Sequence, residues 1–246
     1  MKITSYGRPT FSASAVLFGI IALLWHDPAT WQTLWQLWSL PHGRLIGVCL
    51  MAAQIAAGIA LLHPRSARPA SIILAVVYSL FSLLCLPGIA SAPAVYAHYE
   101  SFTEQFSLFC GALALFAGTL STKAGAALFT RLARLGLGLC AISFTLAQIF
   151  YFRFTASLVP TWIPPSQTFW AALTTVAFAL AAAAILIHRH ERLALRLITL
   201  MLALFGLLVW LPLLIAHPQS HSNWSEFALT FLITGAYGAA AELPSR

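Results

Sequence analysis

The sequence predicts an all-α, polytopic membrane protein: eight transmembrane helices arranged as two parallel four-helix repeats. Three observations lead there. Of 246 residues, 60% are hydrophobic and only 8% charged, against about a quarter charged in soluble domains. A soluble fold could not hide so much apolar side chain, so the excess must face lipid. The apolar residues fall in eight runs separated by short polar or basic turns, and landmarks recur about 125 positions apart.

The first run, residues 11–25, is short against the roughly 20 residues that cross a hydrocarbon core. Lys2 and Arg8 before it could suggest a secretory signal. His26-Asp27-Pro28 follows instead of a small-residue cleavage site, so the run reads as a retained span. Trp31, Trp35 and Trp38 recur at helical spacing, suited to a helix lying in the interface. The second run, 45–62, ends at the basic turn Arg65 to Arg68. The third, 70–86, stops at Pro87-Gly88. A loop with Tyr96, His98, Tyr99 and Glu100 leads to the fourth, 102–120, with Glu104 in its first turn.

Residues 121–134 (STKAGAALFTRLAR) divide the chain as a polar, basic connector. The fifth run is 135–152. The exit Arg153-Phe154-Thr155 and the loop Val159-Pro160-Thr161-Trp162-Ile163-Pro164-Pro165 follow it. The sixth is 168–187, closed by His188-Arg189-His190-Glu191-Arg192. The seventh, 197–216, carries Pro212, and the eighth, 227–241, has Glu226 immediately before it.

Pro87 and Pro212, the basic turns near 65–68 and 189–192, and Gly111 with Gly235 share nearly one offset. The expected units are therefore residues 1–122 and 123–246. Each has an even number of spans, so both start from the same side, about an axis along the membrane normal. Eleven of the thirteen Lys and Arg residues then fall on one face and only Arg44 and Arg153 on the other. The positive-inside rule makes both termini cytoplasmic.

The net charge of +7 is this orientation signal, not a nucleic-acid surface. Cys49, Cys85, Cys110 and Cys140 lie in or beside apolar runs without a Cys-x-x-Cys pair, which argues against thiol redox chemistry and thiolate zinc. No nucleotide-binding or hydrolase motif is present, so no catalytic residue is assigned.

Phe154-Thr155, Val159-Pro160-x-Trp162-x-Pro164-Pro165, Trp170, the turn at 189–192 and Leu211-Pro212 carry a resemblance. On them, the second half resembles the DoxX-like family of four-helix membrane proteins, and the first half looks like a diverged copy. The resemblance implies a four-helix unit in a bacterial inner membrane. It also implies association with a membrane or periplasmic redox partner, with quinone as the cofactor in view. It defines no catalytic residue.

On this topology the outer side gathers titratable and aromatic groups. Glu104 and Glu226 each sit at the start of the last span of a half. They either cap free N–H groups or face the interior and bind a proton, cation or quinone head group. Arg153 either pairs with them or an anionic ligand, or snorkels to the head groups. His26, Tyr99 and Trp162 complete the candidate ligand site. No histidine lies mid-span, which argues against haem within the bundle; a surface metal would draw on His26, His98, His217 and His221. Gln54 and Gln148 should hydrogen-bond between helices. The expectation is a redox-associated membrane subunit with a ligand or partner site at the outer face. The alternative is a transporter or lipid- or cargo-binding protein without redox chemistry.

Overall fold

The computed structural model describes residues 6–25 and 41–244. His26, Asp27 and the Trp31–Trp35–Trp38 stripe lie outside them. The described residues form nine helices: α1 (Gly7–Trp25), α2 (Gly43–Leu61), α3 (Ala67–Ser91), α4 (Tyr96–Ala117), α5 (Lys123–Phe150), α6 (Phe152–Leu158), α7 (Gln167–Leu186), α8 (Glu191–Ala216) and α9 (His221–Glu242). Six of them (α1, α2, α3, α5, α7 and α8) are long and apolar enough to cross a bilayer. The chain is a membrane protein. Eight apolar runs were expected to span. Those belonging to α4 and α9 fall short of the six because the first halves of both helices are polar, with His98, Glu100, Glu104 and Gln105 in one and His221, Asn223 and Glu226 in the other.

Three helix starts differ from expectation for a clear reason. Residues 121–134 are not a connector: from Lys123 on they are the first turns of α5. Ala, Leu and Arg are strong helix formers, and the single Gly125 is too weak a breaker to stop them. Likewise α4 and α9 begin about six residues before their apolar runs. Both starts share one device. Tyr99 Oη donates to Pro93 O at 3.2 Å, and Trp224 Nε1 donates to Pro218 O at 3.0 Å. Each ties the first turn back to the carbonyl six residues earlier. Trp170 repeats it on Pro164 O at 2.8 Å, where α7 begins.

Neighbouring helices run antiparallel, so the bundle has two ends. Arg8, the turns at 62–66 and 187–190, Lys123 and Glu242 mark a basic end. Trp25 meets His221 at the far end, with ring centroids 5.6 Å apart. The packing order is a ring, α1–α2–α3–α4–α5–α7–α8–α9 and back to α1, with α4 and α9 also in contact across its middle. The sequence reading put each half in a bundle of its own. Instead α1 packs mainly on α9 and α5 on α4, so the last helix of each half is embraced by the first helix of the other.

Small residues make the crossings close. A Cβ at Gly235 of α9 would lie 2.4 Å from the backbone N of Phe11 in α1, and one at Gly111 of α4 would lie 2.4 Å from the Cβ of Ala236. Backbones this near need glycine. Of the 22 residues in α9, fifteen are buried, making it the innermost helix. By contrast α3, α7 and α8 present exposed Leu83, Leu180 and Leu200, at 57–67%, the pattern of a lipid-facing surface.

Polar side chains stitch the helices. Gln54 Nε2 donates to Ala15 O at 2.8 Å, and Gln148 Oε1 accepts from Thr175 Oγ1 at 2.8 Å, so both glutamines bond between helices. At the basic end, Glu242 Oε1 accepts the Tyr6 and Gly7 N–H groups at 2.6 and 2.8 Å, capping α1 from the end of α9. In return Arg134 of α5, 3% exposed, donates to Ala240 O and Leu243 O and pairs with Glu191 of α8. Cations here complement the negative end of the α9 dipole.

One helix is irregular. In α8 the residues Gly206–Trp210 form a π turn, where the Leu211 N–H reaches back five residues to Gly206 O. Pro212 follows. It has no N–H for Leu208 O, and its ring would crowd that carbonyl; the widened turn relieves both. Pro87 sits inside α3 without such a turn.

Candidate functional site

The far end collects three carboxyls. Glu104 is the ninth residue of α4 and Glu226 the sixth of α9, because both helices start early. Neither therefore caps a helix. The α9 N-cap is Ser220, whose Oγ accepts from Asn223 N, and the α4 N-cap Val95 has no capping side chain. The capping reading of these two glutamates is corrected by that geometry. Glu100 lies one turn before Glu104 on the same face of α4, at i, i+4 spacing. All three are partly buried. Each lies within electrostatic reach of the other two. Among the described residues none of the three forms an ion pair with a cation.

The wall beside them is polar and aromatic. Tyr96 Oη meets Ser143 Oγ at 2.9 Å, Thr103 Oγ1 donates to the same oxygen at 3.0 Å, and the Ala97 N–H donates to Tyr151 Oη at 3.0 Å. These bonds clamp the start of α4 to the end of α5. Tyr96 stacks on Tyr99, ring centroids 5.7 Å apart. On α9, His221 Nε2 meets Ser225 Oγ at 3.2 Å. Gln105 is buried with its Oε1 unpartnered.

The remaining sequence candidates divide. Tyr99 takes part in the wall, though its hydroxyl is spent on Pro93 O. Arg153, at the start of α6, is exposed and forms no ion pair with either glutamate. Trp162 is 70% exposed on the loop between α6 and α7, and nothing gathers it to the carboxyls. His26 lies outside the described residues. No three His, Cys, Asp or Glu side chains among the described residues, the three carboxyls included, are placed to hold one metal ion.

The sequence places Glu100 in a loop, so the third carboxyl is seen only in the structure. The Glu-x-x-x-Glu spacing at 100 and 104 was the available signal. It has meaning only if the helix already runs through Glu100, and the Tyr99–Pro93 bond that starts it there is a tertiary detail.

No protein-family model, curated protein or solved structure matches the chain.

Proposed function

We propose that the chain is an eight-span subunit of a quinone-linked redox assembly in a bacterial inner membrane, two parallel four-helix repeats with both termini cytoplasmic. Its ligand site is the carboxyl group cluster at the outer face. Several facts support the repeat. Helices α3 and α8 end at Ser91 and Ala216, α4 and α9 begin at Tyr96 and His221, and α1 and α5 end at Trp25 and Phe150. Every pair is 125 positions apart, as are Tyr99–Pro93 and Trp224–Pro218. Gly111 packs on Ala236, its own counterpart, as residues astride a two-fold axis do. Nine of the eleven described Lys and Arg residues lie at the basic end, which supports its placement in the cytosol.

The observation that carries the functional reading is the convergence of Glu100, Glu104 and Glu226 with no cation paired to them among the described residues. Grouped carboxylates at a membrane's edge must be balanced by shared protons or by a bound partner. A quinone head group supplies carbonyl oxygens that accept hydrogen bonds from protonated carboxyls and exchange protons on reduction. The resemblance of the 154–165 loop to the DoxX-like family supplies the redox context. The test is quinone extraction from protein purified in mild detergent. Wild type should retain quinone and E104Q/E226Q should lose most of it; wild type that carries none sinks the reading.

The π turn favours a second reading, a carrier of protons or small cations without redox chemistry. It interrupts α8 against Phe231, next to the carboxyl-bearing helix, and such turns often mark functional sites. Flux into liposomes, dependent on Glu104 and Glu226 and indifferent to quinone, would decide for it.

A further inference from the structure

The strongest charge feature of the molecule is at the opposite end from the carboxyls. Helix α5 begins early, so its first turns stand alongside the start of α8, and the two helices meet at the Arg134–Glu191 pair. A cleft of about 950 Å³ lies between them. Lys123 and Arg131 line one wall, Arg192 and Arg196 the other, and Arg134 with Glu191 the floor. Among the described residues, five Lys and Arg cations thus face one acid.

Their partners show which charges are spare. Arg134 is held by Glu191, Ala240 O and Leu243 O, and Arg192 by Leu243 O at 2.7 and 2.9 Å. Lys123, Arg131 and Arg196 are exposed and form no hydrogen bond or ion pair among the described residues. The cations left over come from both walls, with a rigid arginine below them. Exposed Leu193 lines the same cleft, and Leu197 and Leu200 continue along the lipid-facing side of α8. The cleft is therefore open to acyl chains as well as to water.

We infer that this basic cleft binds a phosphate group, with Arg131, Arg196 and Lys123 closing on its oxygens. Arginine forks match phosphate geometry from both sides, and basic pockets between membrane helices suit anionic head groups. The apolar continuation on α8 favours a lipid phosphodiester over a free phosphate. The inference is independent of the carboxyl site, which lies at the far end of the bundle.

The experiment uses full-length protein in detergent and native mass spectrometry, with phosphatidylglycerol, phosphatidylcholine and inorganic pyrophosphate as probes. Phosphatidylglycerol should be retained in preference to phosphatidylcholine. R131Q/R196Q should weaken that retention on the order of thirtyfold, from about fivefold per cation near a head group. R65Q/R68Q, an equal charge change at the same end but outside the cleft, should leave it intact. If pyrophosphate binds instead, and R131Q/R196Q abolishes that binding, the phosphate site stands and its source is soluble. The inference is overturned if neither probe is preferred, or if R65Q/R68Q weakens binding as much as R131Q/R196Q. Because a double variant can misfold, the single variant R131Q and hydrogen-exchange protection of residues 123–134 and 188–196 in the wild type give the same decision. Equal exchange with both lipids and with pyrophosphate also overturns it.

Discussion

Replacing Gly235 by alanine tests the interior most directly. The added Cβ would lie 2.4, 2.6 and 2.8 Å from the N, Cα and Cβ of Phe11. Ordinary contact begins near 3.4 Å, so α1 and α9 must separate by about 1 Å. Two of the three blocking atoms are backbone, and no flexible side chain can swing away. Forcing an extra methyl into a packed interface costs about 1–3 kcal/mol. Helix propensity returns under 1 kcal/mol of that. For a chain of this size the net loss corresponds to a fall of about 2–8 °C in thermal midpoint. Gly125 provides the contrast. There the new Cβ would meet the Thr122 Oγ1 at 2.8 Å, a side-chain atom that can turn aside, near the exposed start of α5. G125A should be neutral or stabilising. Thermal midpoints in one detergent at one scan rate compare the two, since unfolding here need not be reversible. A G235A midpoint at or above that of G125A would refute the close crossing of α1 and α9.

Arg134→Met should cost about 3–5 kcal/mol, because it leaves Glu191 and Ala240 O without their buried partner, while Leu243 O keeps Arg192; the double variant R134M/E191M should recover part of the loss, read as thermal midpoint. Glu242→Ala should lose about 1–2 kcal/mol with the cap on α1, whereas E242Q keeps an accepting oxygen and should lose less; hydrogen exchange at residues 6–10 should quicken in E242A first. His188 closes α7 at φ 58°, with Arg189 N bonded to Ala184 O and His188 N to Ile185 O. This is a Schellman turn that ordinarily takes glycine. His188→Gly should therefore raise stability by up to about 1 kcal/mol, less whatever its 3.3 Å contact to Glu191 contributes. Pro212→Ala restores a donor to Leu208 O and should convert the π turn to regular α-helix, visible as new exchange protection over 206–212.

The membrane class and the helix positions were legible because lipid imposes long apolar runs, and those runs announce themselves in composition. Where polarity overrode that signal, the reading failed. Tyr96 to Ser101 looks like a loop, yet it is helix because Tyr99 finds Pro93 O. Residues 123–134 look like a connector because they are basic, yet charge does not weaken a helix made of Ala, Leu and Arg. The partners of each helix were not legible at all. Periodicity says which face of α9 is small, with Gly235, Ala236 and Gly238 together, but not that α1 rather than α5 will fill it. The candidate site shared this fate: Glu104 and Glu226 were identifiable singly, their convergence depended on the exchange of helices, and Glu100 depended on the start of α4.

The distribution of acids argues that the far-end cluster is not there for stability. Five of the described residues are acidic. At the basic end, Glu191 holds Arg134 and Glu242 caps α1, so each does identifiable structural work. At the far end, Glu100, Glu104 and Glu226 lie within electrostatic reach of one another and pair with no cation among the described residues. Partial burial of like charges opposes folding, and no hydrogen bond of theirs with another described side chain offsets it. A chain with so few charges has set three of them where packing alone would favour Leu or Ala. Under the proposed function, a bound partner or an exchanging proton accounts for that placement.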